Sequence, residues 1–286
     1  MSEKGYQSLV NIIEYFGSEI VDSIIFAKDK NILEDYSTQI EGIAVQNNIK
    51  VYEKTDKYVV STKYIVAISW RWLIPINENI TLITLHDSLL PKYRGFAPLV
   101  NQLINKEPYI GVTAIVSDAE YDKGSIITQS KTQINYPIKI KDAISMVSEL
   151  YVEILKNVIQ QVIENDSLNT VAQNESEATY SLWRDEEDYR INWSSSAQEI
   201  QNFIFSVGHP YKGASTYLMN EKIRINNAVE LDDLDVVNRD VGKIIFMEDK
   251  SPVVVCGKGL LKITEATYDK NGASIFPLKK FRIRFL

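Results

Sequence analysis

The sequence predicts an α/β chain in which a doubly wound, mostly parallel sheet precedes a small all-β module. Three observations carry that expectation. Apolar strand-like runs alternate with segments of helical periodicity through the first two thirds of the chain, the pattern of a parallel sheet covered by crossover helices. One long segment repeats Ile140, Ile144, Val147, Tyr151, Ile154, Val158 and Val162 at helical spacing. After Pro210 the chain changes character and reads as five short strands separated by turns, which suggests a small barrel or sandwich.

Taken in order, Leu9, Ile12, Ile13 and Phe16 place a helix over residues 8–16. Ile20 to Ala27 reads as a strand, Leu33 to Asn47 as a helix and Ile49 to Tyr52 as a short strand. Tyr64 to Trp70 is a continuous apolar run suited to a strand buried on both faces. Leu82 to Leu85 and Ile110 to Val116 are further apolar strands. The long helix ends near Asn165 and Asp166, and the polar stretch Gln173 to Thr179 lacks periodicity, as a linker or mobile loop would. Ser196 with Glu199 three residues on is a capping-box pattern opening a helix that carries Ile200, Phe203, Ile204 and Val207 on one face. The five strands that follow are Ala214–Leu218, Lys222–Ile225, Val241–Met247, Pro252–Cys256 and Leu260–Ala266. The alternation in Lys279-Lys280-Phe281-Arg282-Ile283-Arg284 fits a strand with a charged outer face better than a nucleic-acid site. One feature is out of pattern. Doubly wound domains usually open on an apolar strand, yet residues 1–6 are polar, so the first strand is absent or hidden.

Composition narrows the function classes. An apolar fraction of 45% suits a globular chain with a full core, and a formal charge of −7 disfavours a polyanion as the main partner. The single cysteine, Cys256, excludes an intrachain disulfide and reads as a buried, inert thiol in a strand. With two histidines and one cysteine no zinc site is expected. Neither a signal-peptide core nor an apolar run of membrane-spanning length is present, so a soluble cytoplasmic protein is expected, with no membrane partner.

The richest stretch is Thr84-Leu85-His86-Asp87-Ser88-Leu89-Leu90-Pro91-Lys92-Tyr93-Arg94-Gly95, which ends one strand and places a histidine at the mouth of a loop. Tyr121-Asp122-Lys123-Gly124 follows another strand, and a carboxylate there could orient and charge that histidine. In parallel sheets ligands bind beyond the carboxyl ends of strands, where both groups fall in this reading. His86 can take or relay a proton near neutral pH, and Asp122 can fix its tautomer.

These motifs, with Arg71-Trp72-Leu73-Ile74-Pro75 before them and Ile126-Ile127-Thr128-Gln129 after, resemble the signature of the folate-dependent formyltransferases. The resemblance implies transfer of a formyl group from N10-formyltetrahydrofolate to an amine, with no metal. It implies a Rossmann-like catalytic domain over residues 1–170, a linker and connecting helix over 171–209, and a barrel of the oligonucleotide-binding type over 210–286. It also implies that the loops Arg71-Trp72-Leu73 and Val116-Ser117-Asp118-Ala119 bind the folate through main-chain groups; for Trp70 and Trp72 core packing is the other reading. One position departs from the pattern. Thr84 stands where the family has an asparagine that donates to the developing oxyanion, so the chain is an active enzyme of altered geometry, an impaired natural one, an engineered variant or a non-catalytic binder.

The resemblance extends to the acceptor. His86-Asp87-Ser88, Asp188-Tyr189-Arg190-Ile191-Asn192-Trp193 and the stretch Val207 to Ala214 are similar to the sugar N-formyltransferases. That similarity favours a nucleotide-linked amino sugar, a 4-amino-4,6-dideoxy hexose for surface glycans, over methionyl-tRNA. It leaves the oligomeric state open, a homodimer included. Lys92, Arg94, Arg184, Arg190 and Lys212 are candidate cations for the diphosphate, and Trp183 and Tyr211 candidate stacking partners for the base. Taken alone, each reads more readily as a solvated or packed surface group.

Overall fold

The computed structural model describes residues 2–28, 35–74, 77–278 and 280–286. The chain divides into two compact units. One comprises Met1–Gln102, Glu107–Ile134 and Asp142–Trp183; the other comprises Leu103–Lys106, Asn135–Lys141 and Arg184–Leu286.

The first unit opens with helix α1 (Glu3–Phe16), whose amino end is capped by Ser2 accepting from the Gly5 amide and whose buried face includes Ser8 and Ile12. Strand β1 (Ser23–Phe26) follows, then α2 (Ser37–Gln46) and β2 (Lys50–Glu53), which lies parallel to β1. The helix expected from Leu33 begins among residues outside the described ones. Next come β3 (Tyr64–Ile68) and β4 (Thr81–His86), again parallel, with Ile65 opposite Leu82. The short β5 (Arg94–Gly95), α3 (Pro98–Ile104), β6 (Tyr109–Val116), β7 (Ile126–Gln133), α4 (Ile140–Asn165) and β8 (Tyr180–Ser181) complete it.

Sheet polarity changes at β4. The four-stranded sheet runs β3-β4-β6-β7, and β6 is antiparallel to both β4 and β7. Residues 117–125 join β6 to β7 with no intervening helix, which allows only an antiparallel pair. The expectation that Asp122 leaves a strand end beside that of His86 is therefore corrected. Thr113 pairs with His86, and Val116, the end of β6, lies back at Ile83. The loop after Val116 reaches His86 by folding over β4 rather than by leaving the sheet beside it. Behind the sheet, the predicted stripe of α4 is buried: Ile144, Val147, Tyr151, Ile154 and Val158 are all in the core. No strand precedes α1 among the described residues.

The second unit is led by α5 (Ala197–Ser206), which forms the predicted capping box: the Glu199 amide donates to Ser196 Oγ and the Ser196 amide to the Glu199 carboxylate. It packs on a sheet of β9 (Ala214–Leu218), β10 (Glu221–Leu231), β11 (Ile244–Glu248), β12 (Ser251–Val255) and β13 (Leu260–Tyr268). Every pairing in the order β11-β12-β13-β10-β9 is antiparallel. The last residues join the two edge strands. Phe285 bridges to Leu218 and Arg284 to Lys243, and the Tyr217 and Leu286 amides each donate to the other's carbonyl at 3.0 Å. This closes the sheet on itself and covers both edges. Trp193 and Phe285 fill the interior beneath, 5.6 Å apart, with the indole N–H donating to Thr216 Oγ1 at 3.0 Å. Cys256 is buried here, and its burial pushes the thiol up to about 12. No helix among the described residues is long and apolar enough to cross a membrane.

Loss of the α5 cap is expected to weaken the second unit: Ser196→Ala should cost about 1 kcal/mol in urea unfolding, while Ser194→Ala, outside the cap, changes little.

Candidate functional site

Strand β4 aims Thr84 and His86 at the same face, because alternate residues of a strand share a side. Two loops converge on that face. The first is residues 87–93, fixed from below by β6 and β7. Thr113 Oγ1 donates to the Ser88 carbonyl at 2.6 Å and accepts from the Leu90 amide at 3.0 Å. Gln129 Nε2 donates to the Leu90 carbonyl at 2.8 Å. That bond gives the downstream Ile126–Gln129 motif a physical role: it props the histidine loop. The second loop is residues 117–124. Gly124 permits its return, since a side chain there would place Cβ 1.8 Å from the Val116 carbonyl oxygen.

His86 is buried and held at both ring nitrogens. Nε2 lies 2.8 Å from the Tyr93 carbonyl oxygen, which can only accept, so Nε2 carries a proton. Nδ1 lies 3.5 Å from Asp122 Oδ1. The other carboxylate oxygen of Asp122 accepts from the Gly95 amide at 2.8 Å. Asp122 and Tyr93 both sit in the left-handed region, at φ of 56° and 59°, conformations that orient the Asp122 carboxylate and the Tyr93 carbonyl toward the imidazole. Thr84 Oγ1 is 2.5 Å from Ser117 Oγ. Such a pair of hydroxyls uses one proton internally and leaves the other free to donate.

Arg94 departs from its expected role. It is only 1% exposed, and its guanidinium is engaged within the unit. Nη1 and Nη2 fork to the Glu175 carboxylate at 2.9 and 2.6 Å, Nη2 and Nε reach Gln173 Oε1 at 2.7 and 3.1 Å, and Nη1 contacts Tyr180 Oη at 3.4 Å. A cation so engaged is a strut, not a ligand for a diphosphate. The strut also corrects the reading of residues 173–179 as a linker or mobile loop. Gln173 Nε2 donates to the carbonyls of Asp122 and Gly124 at 2.7 and 2.8 Å, and β8 pairs with β5. Gly95, at φ of 101°, admits this approach, because a Cβ there would meet the Ser181 carbonyl at 2.5 Å.

Asp87, one residue beyond His86, belongs to a buried network rather than to the open face. Lys4 Nζ pairs with its carboxylate, Tyr151 Oη donates to Oδ1 at 2.6 Å, and Gln102 Nε2 donates to its carbonyl at 2.6 Å. Burial alone would raise the Asp87 carboxyl, but the Lys4 ammonium and the Tyr151 hydroxyl together hold it below the usual carboxylate value. Burial and the Asp87 charge push the Tyr151 hydroxyl well above its ordinary range.

The remaining candidates are distributed as follows. Ile68 pairs with Leu85, so the segment carrying Arg71, Trp72 and Leu73 leaves the sheet beside His86. Trp72 is on the surface rather than in the core: it is 37% exposed, 5.0 Å from the Trp70 ring and beneath the Lys54 ammonium at 4.2 Å. Leu73 is exposed, as are Asp118 and Ala119, whereas Val116 and Ser117 are half-buried. Lys92 is exposed. Phe96, Tyr180, Leu182 and Trp183 form an exposed apolar rim along the paired β5 and β8. Arg184 and Tyr211 belong to the second unit, where Arg184 Nη1 donates to the Asp188 carbonyl at 3.1 Å and the Tyr211 amide to the Gly208 carbonyl at 2.9 Å. Among the described residues no cluster of three or more His, Cys, Asp or Glu side chains could hold a metal. Sequence reasoning missed Gln173, Glu175 and Tyr93 as supports, and Lys4 and Tyr151 as partners of Asp87.

Comparison with known proteins identifies the family. Residues 28–178 match the family described as formyl transferase, and residues 184–275 match its C-terminal domain. Methionyl-tRNA formyltransferase of Acetivibrio thermocellus is 28% identical over 246 residues, covering 81% of this chain and 78% of that one. The crystal structure of an N-formyltransferase from Helicobacter canadensis, in complex with folinic acid and dTDP-3-aminofucose, superposes with a TM-score of 0.67 at 20% identity. That superposition covers 91% of this chain and 95% of the other. HypX from Aquifex aeolicus superposes with a TM-score of 0.65 at 16% identity over 87% of this chain, which spans only 44% of HypX. At these identities the superpositions establish the fold.

Two outcomes are expected. Replacing Arg94 with Met should remove the fork to Glu175 and the bonds to Gln173 and lower the midpoint of chemical denaturation, with Arg94→Lys intermediate because an ammonium cannot fork. Because the folded-state value of Asp87 is depressed, its contribution to stability is complete above the ordinary carboxylate range and is lost as pH falls through the folded value. Melting temperature should therefore drop below about pH 4 in the parent, and Asp87→Asn should be less stable at neutral pH with a flatter acid limb.

Proposed function

Because this chain belongs to the formyl transferase family, we propose that it moves a formyl group from N10-formyltetrahydrofolate to the amino group of a nucleotide-linked amino sugar. The observation that carries the formyl-transfer reading is the set of Thr84 and His86 on one face of β4 with Asp122 facing the imidazole, completed by Tyr93 and Ser117. The formyl donor supplies an amide-like carbonyl on a nitrogen leaving group. The chain's residues must take a proton from the attacking amine, stabilise the carbonyl oxygen as it becomes an oxyanion, and return a proton to the departing nitrogen.

With Nε2–H tied to the Tyr93 carbonyl, Nδ1 is the ring atom able to accept the amine's proton. Asp122, 3.5 Å from Nδ1, then stabilises the imidazolium that forms, and the same proton can pass to the leaving nitrogen. The Thr84–Ser117 hydroxyl pair supplies the oxyanion donor in place of an asparagine amide. This arrangement favours an active enzyme over an impaired one or a binder. The exposed Trp72 and Leu73, beside the exit of β3, and the exposed residues Asp118 and Ala119 suit a flat ring system.

Two features support a sugar acceptor. The segment 184–286 carries as many Lys and Arg as Asp and Glu, fifteen of each. Many of its cations are already matched: Arg224 with Glu186 and Asp269, Arg239 with Asp233, Lys262 with Asp249. Such a module has little excess charge with which to displace counterions from tRNA. The aromatic rim of Phe96, Tyr180 and Trp183 can instead stack on a base, with exposed Lys92 available to a diphosphate. The second reading, methionyl-tRNA formylation, rests on the name of the Acetivibrio relative. Mass spectrometry after incubation with N10-formyltetrahydrofolate and a panel of 3-amino and 4-amino nucleotide sugars, against charged initiator tRNA, separates them. Formylation of the tRNA alone would overturn the sugar reading.

His86→Asn should lower kcat/KM by roughly 10² or more in a protein that still folds, and Asp122→Asn should act in the same direction. Thr84→Val should lower kcat by about 10² with KM little changed, because an oxyanion donor acts in the transition state. Steady-state kinetics with one acceptor decide both; an unchanged kcat in Thr84→Val would remove the hydroxyl pair from the mechanism.

A further inference from the structure

A neutral imidazole at His86 has one N–H to place and two acceptors to choose from. The Tyr93 carbonyl oxygen lies 2.8 Å from Nε2, and the Asp122 carboxylate lies 3.5 Å from Nδ1. A carboxylate is the stronger acceptor, but 3.5 Å is beyond the usual length of an N–H···O bond, whereas the carbonyl is well within it. The tautomer therefore depends on where the carbonyl is held. If it turned away, the proton would move to Nδ1, and the lone pair of the ring would pass to Nε2, which points at the histidine loop.

Tyr93 presents that carbonyl from a conformation that must be imposed on it. Its φ of 59° lies in the left-handed region, which a residue with a Cβ disfavours and which persists only where the surroundings fix it. Each polar atom of Tyr93 is engaged. The amide donates to Thr179 Oγ1 at 2.8 Å, the carbonyl also accepts from Ser181 Oγ at 3.3 Å, and the hydroxyl donates to Glu107 Oε1 at 2.6 Å. The last is the length of a charge-assisted bond. Glu107 is itself well anchored between α3 and β6. Its amide donates to the Gln102 carbonyl at 3.0 Å, and the carbonyl of the next residue, Pro108, accepts from the Ile134 amide at 3.1 Å. From the same end of α3, the Gln102 side chain donates to the Asp87 carbonyl at 2.6 Å. The chain is thus gripped on both sides of His86, at Asp87 and at Tyr93, from the region where α3 ends.

We propose that Glu107 is a positioning residue for the reaction: by holding the Tyr93 hydroxyl it keeps the Tyr93 carbonyl on Nε2, and so keeps the Nδ1 lone pair for the attacking amine. Its effect on rate rests on the formyl-transfer reading; its effect on the tautomer does not. Glu107 acts at two removes, through the side chain and then the backbone of Tyr93. Its loss therefore divides the ring between two tautomers and slows the reaction without abolishing it. The negative charge is not what the role requires, because an amide oxygen in the same place can accept the same proton.

Glu107→Leu, Tyr93→Phe and Glu107→Gln separate this role from a merely structural one. The chain has only two histidines, so nitrogen NMR on isotope-labelled histidine follows the His86 ring directly, with His86→Asn giving the assignment. In the parent, at a pH where the ring is neutral, Nε2 should appear protonated and Nδ1 bare. In Glu107→Leu and Tyr93→Phe the two resonances should move toward each other. In both, kcat should fall by about tenfold while KM for either substrate changes by less than about twofold, the mark of an interaction lost from the transition state and not from binding. Glu107→Gln should keep the parent's spectrum and most of its kcat. Parent-like resonances in Glu107→Leu and Tyr93→Phe would overturn the proposal. So would a lowered kcat with unchanged resonances, or a shifted tautomer with unchanged kcat. If the parent showed no formyl transfer, the resonances would still decide whether Glu107 sets the tautomer, and only the formyl-transfer reading would fall.

Discussion

The geometry around His86 depends on one buried guanidinium. Arg94 lies under the loop that follows β4, where an unpaired cation would be intolerable, and Glu175 and Gln173 match it. The matching closes a circuit. Gln173 holds the carbonyls of Asp122 and Gly124, Asp122 binds the amide of Gly95, and Gly95 follows Arg94 in the chain. Through this circuit a segment far along the sequence fixes the carboxylate that faces the imidazole. Removing any member loosens the others, because each hydrogen-bond partner is itself held by the next.

A second network sets the position of β4 from the opposite side. Asp87 is ionised in a buried place because Lys4 and Tyr151 converge on it, one from α1 and one from α4. The helix that opens the chain is thereby tied to the strand that carries His86. The two carboxylates near the histidine have different work: Asp122 faces the ring, while Asp87 anchors the backbone. Their positions follow from the reversal of sheet direction at β4, which folds the loop after β6 across the strand and leaves the β3 side parallel.

Much of this was legible in the sequence, and the limits have physical causes. Periodicity located α4 and β6 closely, and the Ser196–Glu199 pair marked a cap that forms as read, because such signals are local. His86 and Asp122 stood out through residue type and motif, and they do meet. The polarity of β6 was not legible, because an apolar run has the same pattern in either direction. Arg94 read as a ligand because sequence shows charge but not burial, and its partners sit in a stretch whose polarity resembles that of a linker. Lys4 gave no signal, since its partner is 83 residues away.

The proposed catalytic face and the choice of acceptor are separable problems. Proton transfer and oxyanion stabilisation require only the reacting amine and carbonyl, so the set on β4 would serve a sugar or an aminoacyl group alike. That is consistent with relatives whose names carry different acceptors while sharing this fold. Discrimination must come from groups outside the set, and the acceptors differ most in charge and size. A tRNA demands an extended unneutralised basic surface, whereas a nucleotide diphosphate demands one or two cations and an aromatic face. The charges of segment 184–286 balance and many are paired with one another, while the exposed aromatics cluster along β5 and β8, next to Arg94 and the histidine loop. The balance of these features, rather than the catalytic residues, is what favours the small acceptor.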